Sequence, residues 1–390
     1  MKGRAATCRP FFRYEGGGTV EQEPRQKGGP VLAWAAALTA VCLLLAVCLF
    51  PSGGQPEAVS AAAVLDLPRG SRTAVQTVSV GKSVIPVGKA VGIKLFSDGV
   101  LVVGLSPVET EEGAQYPGRD CGLKTGDVIT HIDGDEVDTI EQIQELVARR
   151  EGNPLTIQAM RGQKQVQLTA AAVENSQGVY QLGVWLRDSM AGIGTVTFYD
   201  PETGVFAALG HGINDVDTAM LMPLESGSVM KATVSDVKKG QSGQPGELHG
   251  QFDLTQDLGT LYANTNLGIF GRMPENSVAE ARTPVPTARH DQVKTGEATI
   301  LSNIRGDQVE EFTVRITHIS PEEEGNRNLM LQVTDPRLLE QTGGIVQGMS
   351  GSPILQDGKL VGAVTHVLVN DPTRGYGILI ENMLEAAVGG

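Results

Sequence analysis

Cysteine is nearly missing from this 390-residue chain, which carries four: Cys8, Cys42, Cys48 and Cys121. Cys42 and Cys48 lie inside an uncharged apolar run, and Cys8 precedes it. Only Cys121 stands in the body beyond, so no intramolecular disulfide can brace that body. There is no Cys-x-x-Cys and no His/Cys cluster, which excludes a structural zinc site. No metal site and no cofactor motif is read anywhere. Aromatic residues are only 4% of the chain, and no long helical pattern runs through its second half before the last few residues. With 49 glycines, this composition favours β-rich, turn-rich domains over helical bundles. Basic charge is short too. The net charge is −14, although residues 1–30 hold six basic residues against three acidic ones and residues 31–50 hold no charge. The body beyond Phe50 is therefore strongly acidic. It would repel phosphates, so no nucleic-acid partner is expected.

One long hydrophobic run is present. Val31–Phe50 is apolar apart from Thr39, and twenty helical residues at about 1.5 Å each cross roughly 30 Å of hydrocarbon. Its length, and the thirty residues ahead of it, favour an uncleaved anchor over a cleaved signal peptide. The basic flank is N-terminal, so residues 1–30 are expected in the cytoplasm and the body outside the membrane. Residues 51–84 mix Pro, Gly, Ser and Ala without a period. They read as a linker and as a site for proteolytic trimming.

Residues 85–173 form a legible unit. Val100–Leu105 and Asp127–Ile132 are buried-strand runs, the second closed by the turn Asp133-Gly134-Asp135-Glu136. Ile140, Ile143, Leu146 and Val147 share one helical face, and Asp138 followed by Glu141 makes a start like a capping box. Leu155–Met160 and Lys164–Thr169 form a hairpin. Cys121-Gly122-Leu123-Lys124-Thr125-Gly126-Asp127-Val128-Ile129 followed by Ile132-Asp133-Gly134-Asp135-Glu136-Val137 resembles a PDZ domain of bacterial exported proteases. In that frame the carboxylate-binding loop is Val91-Gly92-Ile93-Lys94-Leu95, with Gly92, Ile93, Lys94 and Leu95 contacting a bound peptide. The peptide would add as a strand beside the helix from Thr139 to Arg150.

From residue 178 to 390 the texture is strands and turns. Gly348-Met349-Ser350-Gly351-Ser352-Pro353 precedes an apolar hairpin, Ile354 to Val364. A nucleophilic serine needs a tight turn that aims backbone N–H groups at a developing oxyanion, and flanking glycines permit it. The pattern matches the nucleophile turn of chymotrypsin-like proteases. Ser350 is the nucleophile in this reading, the N–H groups of Gly348 and Ser350 form the oxyanion hole, and Ser352 competes. The strand Val205-Phe206-Ala207-Ala208-Leu209-Gly210 runs into His211, which suits a general base. His131, His249, His290, His318 and His366 follow no comparable turn. The acid is open among Asp215, Asp217, Asp236, Asp253, Asp257 and Asp335.

The resemblance then becomes close. Leu209-Gly210-His211 with Asp215-Val216-Asp217-Thr218 is followed by Thr334-Asp335-Pro336-Arg337-Leu338-Leu339. After these come Thr342-Gly343-Gly344-Ile345-Val346-Gln347-Gly348-Met349-Ser350-Gly351-Ser352-Pro353, Gly362-Ala363-Val364-Thr365-His366-Val367 and Val369-Asn370-Asp371-Pro372-Thr373. Together they are similar to the stage IV sporulation protein B family, the sporulation serine peptidases of endospore-forming Firmicutes. The resemblance implies a mainly β chain: an N-terminal transmembrane helix, a PDZ domain, and a chymotrypsin-like double β-barrel protease. It implies the catalytic set His211, Asp335 and Ser350. Asp335 stands only fifteen residues before Ser350, and Asp257 would suit the chymotrypsin order better. It also implies export into the space between the forespore membranes, self-cleavage, and cleavage of a membrane-bound regulator of an intramembrane protease, which leads to sigma-factor activation. The contrasting reading is a catalytically inactive PDZ adaptor that holds a membrane partner.

Overall fold

The computed structural model describes residues 81–274, 277, 283–323 and 325–388. The expected anchor and nearly all of the expected linker lie outside them. Among the described residues no helix is long and apolar enough to cross a membrane.

The second half of the chain closes into a barrel of six antiparallel strands. These are β11 (Gly296–Arg305), β12 (Gln308–Ile319), β13 (Leu329–Val333), β14 (Pro353–Gln356), β15 (Lys359–Leu368) and β16 (Asp371–Leu379), in the order β11-β12-β13-β16-β15-β14. Its interior is apolar and fully enclosed, built on Ile300, Phe312, Val314, Leu331, Ile354 and Val364. A short helix, α2 (Pro336–Thr342), leads from β13 toward the Ser350 turn, and α3 (Ile380–Val388) is the last described element.

A second ring precedes it. Its strands are β2 (Ala90–Leu105), β6 (Val184–Tyr199), β7 (Val205–Ala208), β8 (Ser226–Lys238), β9 (Glu247–Thr265) and β10 (Gly268–Arg272). They pair in the order β2-β8-β9-β10-β7-β6, and β6 returns to β2. Val91, Ile93, Val196, Phe206 and Ile269 fill this barrel. β1 (Ser83–Pro86), at the end of the expected linker, pairs with the C-terminal end of β6. Barrel closure leaves few unpaired edges.

Between β2 and β6 lies the PDZ part: β3 (Asp127–Ile132), α1 (Ile140–Arg150), β4 (Leu155–Arg161) and β5 (Lys164–Ala170). Its own core gathers Val102, Leu123, Ile129, Ile143, Val147 and Ile157. The capping box of α1 sits one residue later than the sequence suggested. Thr139 caps the Gln142 N–H, and the Gln142 side chain returns to the Thr139 N–H. Asp138 instead accepts from the N–H of Gly99, at the bend of β2.

The PDZ part and the first barrel share strands. Ala90–Phe96 pairs with β6 and Val91–Phe96 also with β8 inside the barrel, whereas Val100 and Leu101 pair with β3. β6 divides likewise. Val184–Arg187 faces Leu105–Leu101, and Ser189–Thr195 faces Phe96–Ala90, with bulges at Trp185/Leu186 and Arg187/Ser189. The boundary expected at residue 85 therefore gives the PDZ interval a strand that the protease barrel needs.

This sharing overturns the expected carboxylate-binding loop. Val91, Gly92, Ile93, Lys94 and Leu95 have strand partners on both sides, so no edge remains for an incoming peptide. Gly92 is explained by packing: a Cβ there would sit 2.7 Å from the Phe252 ring. A Gly-apolar run is as natural in a crowded strand as in a loop, and sequence could not separate the two.

Candidate active site and peptide groove

The Ser350 turn is built from α2 onward. Asp335 caps α2 through the Arg337 N–H, Pro336 opens the helix, and Gly343 ends it in the left-handed region at φ 76°. The chain then reaches Gly348 at φ 98°, Ser350, and Gly351 at φ 96°. A Cβ on Gly351 would lie 2.0 Å from the carbonyl oxygen of Thr195 and 2.6 Å from the Leu209 nitrogen, so the turn presses directly on β6 and on the start of the His211 turn. Ser350 is 4% exposed.

The backbone donors of this turn divide sharply. The N–H groups of Met349, Gly351 and Ser352 donate to Val346, Val364 and Met349. Those of Gly348 and Ser350 make no hydrogen bond within the described structure. Two unspent donors on alternate residues beside a serine hydroxyl are what an oxyanion site requires. The Ser350 hydroxyl itself donates to the Thr365 carbonyl at 2.6 Å, and must rotate to meet a base. Ser352, the competing candidate, is fully buried, and its hydroxyl donates to Ser302 at 3.1 Å.

His211 follows β7 through two successive left-handed residues, Leu209 at φ 70° and Gly210 at φ 69°. A leucine there is strained, and strain of this kind collects at functional sites. Its side chain is held: Gly194 leaves only 2.3 Å between its missing Cβ and a Leu209 methyl. The His211 ring is 6% exposed, and its Nδ1 lies 2.8 Å from the Gly212 carbonyl oxygen. A carbonyl only accepts, so Nδ1 carries the proton. In the neutral ring Nε2 then keeps the lone pair that a general base needs. Burial holds the imidazole below its ordinary pKa of 6.5, partly opposed by the bond to Gly212, so the ring is neutral near pH 7.

The Leu209-Gly210-His211 turn meets the nucleophile segment from two sides. Gly351 abuts Leu209, and a Cβ on Gly210 would lie 2.9 Å from the Thr365 methyl. The His366 ring, set aside by sequence, stands 5.2 Å from that of His211. Burial, then His211 and Arg327, push the His366 pKa down to about 3. Alternation along β15 gives no signal for it, because the register shifts between Val364 and His366.

The structure does not bring Asp335 to His211. Its carboxylate accepts from the backbone N–H of Arg337, the Arg337 guanidinium and the Thr313 N–H. The guanidinium is the main reason its pKa lies below the usual carboxylate range. Asp215 is held by Arg187 and Thr218, Asp253 by Thr255, and Asp257 is exposed on β9. None of the six candidate carboxylates hydrogen-bonds to His211. The motif around Asp335 looks catalytic in sequence because it shapes the entry to the nucleophile turn.

The PDZ part does offer a groove, in another place. It lies between α1 and the outer half of β6, about 670 Å³ in volume, with Ile140, Ile143, Gln144 and Val147 on one wall and Leu182, Val184 and Leu186 on the other. Over Val184–Arg187, β6 pairs only with β2, so its second edge is open. The carbonyls of Leu182 and Gly183 accept from Gly118 and Ser106, while the N–H groups of the same two residues make no bond within the described structure. Gly183 adopts φ 66°. Leu182-Gly183-Val184 thus combines an open strand edge with unspent donors, the features sought at Val91–Leu95. Trp185 beside it is 65% exposed. Among the described residues no three His, Cys, Asp or Glu side chains group to hold a metal ion.

The SpoIVB peptidase S55 family model matches residues 178–384, more than half of the chain. The chain belongs to this family. A PDZ-domain model matches residues 110–159, so this S55 serine peptidase carries a PDZ domain. A Vibrio cholerae protein described as a zinc metalloprotease is 27% identical over 182 residues, covering 42% of this chain and 38% of that protein. The chain spans between 20% and 38% of the length of the curated relatives it matches. The Rv3671c protease of Mycobacterium tuberculosis in its active form is 16% identical, covering 64% of this chain and 86% of its own, at a TM-score of 0.29. The PDZ domain of an SdrC-like protein from Listeria monocytogenes is 24% identical over 23% of this chain and 87% of its own, at a TM-score of 0.19.

Proposed function

We propose that this S55 peptidase is an endopeptidase in which Ser350 attacks the peptide carbonyl and His211 takes its proton through Nε2, later returning it to the leaving amine. The Gly212 carbonyl holds the required tautomer, and the N–H groups of Gly348 and Ser350 receive the oxyanion. The single observation that carries this reading is the pair of unspent donors on Gly348 and Ser350. Rotation of the Ser350 hydroxyl from Thr365 toward His211 precedes attack. Replacement of Ser350 by Ala should cost roughly six orders of magnitude in turnover. A fluorophosphonate probe should label wild type at Ser350 and leave Ser350→Ala unlabelled; a folded wild type that never labels would sink the proposal.

The finer reading is membrane tethering by residues 31–50 with the body exported. The substrates are a membrane-bound regulator of an intramembrane protease and the chain itself, in the sporulation signalling that activates a sigma factor. The family supports this role, and the groove beside α1 supports a bound peptide partner. Loss of regulator cleavage in sporulating cells carrying Ser350→Ala, with the protein present at normal level, is the expected result. The inactive-adaptor reading draws on one observation, the turn of the Ser350 hydroxyl toward Thr365, and the same probe separates the two.

A further inference from the structure

The nucleophile turn and the base turn meet on one residue that belongs to neither motif. Thr195 is fully buried on β6. Its N–H donates to the Ser350 carbonyl at 3.0 Å, its Oγ1 donates to the Gly348 carbonyl at 2.8 Å, and its own carbonyl accepts from the Leu209 N–H at 3.2 Å. Two of these bonds are backbone bonds that any residue would make; the third needs a hydroxyl. A buried threonine hydroxyl commonly satisfies itself on a nearby carbonyl with no further consequence. Here the carbonyl it reaches is unusual. Gly348 stands at φ 98°, has the backbone freedom of a glycine, and its oxygen accepts no other bond within the described structure. Its N–H is one of the two unspent donors of the turn.

We propose that Thr195 is a positioning residue for the oxyanion site. With the Gly348 and Ser350 carbonyls both tied to Thr195, each donor residue is anchored on its carbonyl side, and the Ser350 N–H, in the Met349–Ser350 peptide between the two anchors, keeps its aim. Without the hydroxyl, the Gly348–Met349 peptide is held on one side only, by the Met349 N–H bond to the Val346 carbonyl, and the aim of the donor pair loosens. The carbonyl of Thr195 ties the same assembly to Leu209, two residues before His211, so nucleophile and base share one reference point. This rests on the reading of Ser350 as nucleophile.

The test uses the full chain and a fluorophosphonate probe, whose reaction with Ser350 also develops charge on an oxygen. Thr195→Val keeps shape and removes the hydroxyl; Thr195→Ser keeps the hydroxyl. Outright loss of an oxyanion donor costs about 10²–10³ in rate, and a misaimed donor should cost less. Thr195→Val should therefore label about 10–100-fold more slowly at saturation, with the half-saturating probe concentration within about twofold of wild type. Thr195→Ser should label within about threefold of wild type at a matching thermal midpoint. If Thr195→Val does not fold, Thr195→Cys, which keeps the volume and only a weak donor, takes its place. Labelling of the folded hydroxyl-free variant at the wild-type rate would overturn the proposal, as would an equal loss in Thr195→Ser. Failure of wild type to label would instead remove the nucleophile reading beneath it.

Discussion

Acid should destabilise this fold through the two histidines that face each other beside Ser350. Unfolded, His366 titrates near 6.5; folded, it titrates at about 3, pushed down by burial, by His211 and by Arg327. Between these values the unfolded chain binds a proton that the folded chain refuses. Stability from the neutral ring is therefore complete above about pH 6.5 and is lost as pH falls toward 3. One such group gives a slope of at most about 1.4 kcal/mol per pH unit. The His366 ring is partly exposed, which brings the expected slope nearer about 1 kcal/mol per unit. His211 is shifted in the same direction and adds to it. Urea unfolding of wild type and His366→Gln at pH 7.5, 6.5, 5.5 and 4.5 isolates the His366 part, because every carboxylate is common to both proteins. From pH 6.5 to 4.5 wild type should lose about 2 kcal/mol more than the variant. Parallel stability curves across that window would refute the reasoning. The acid limb of Ser350 labelling should also fall below pH 6.5, since the neutral His211 is the reactive form.

Asp335→Ala removes the cap of α2 and leaves the Thr313 N–H without its acceptor, at a combined cost of about 2–4 kcal/mol. The thermal midpoint should drop by several degrees with labelling falling in step; lost labelling at an unchanged midpoint would return Asp335 to the catalytic machinery. Val147→Glu puts a charge on the apolar wall of the groove and should abolish binding of a peptide with apolar alternate residues and a free carboxy-terminus, measured by fluorescence anisotropy. The same loss from Gly92→Ala without unfolding would favour the abandoned loop instead. Deleting residues 85–173 should destroy Ser350 labelling by removing a strand of the first barrel. Replacing Ser106–Gly183 with Asn-Gly should preserve labelling, because Leu105 and Val184 are already paired; equal behaviour of the two deletions would contradict the shared ribbon.

Much of this was legible in local pattern. Ser350 and its hairpin, the strand into His211, and α1 with its apolar face each depend on residues close in sequence. What escaped depends on partners far away. Whether Val91–Leu95 is a loop or a barrel strand turns on β8, more than a hundred residues later. The hydroxyl of Thr195 acquires meaning only when Gly348 arrives beside it. Asp335 misled for a related reason: an aspartate before Pro-Arg is a strong helix cap, and a cap feeding a catalytic turn has the same local spelling as a catalytic acid.

The two sixteen-residue strands also explain why the interval 85–173 could not be a separable domain. In a chain with a flexible linker, each core closes on its own strands. Here β2 and β6 enter both cores: Leu95 and Val196 face the barrel, while Val102 and Leu186 belong to the PDZ side. Opening the barrel end of this ribbon would expose Val91 and Ile93 together with the support of the Ser350 turn, because Thr195 pairs directly with Ala90. Peptide in the groove would lie along the outer edge of the same β6 whose other end carries Thr195. The ladder along that path is interrupted at two bulges, Trp185/Leu186 and Arg187/Ser189, and at the second Arg187 grips Asp215 and Asp217. Movement entering from the PDZ side must be absorbed there or be carried into the nucleophile turn.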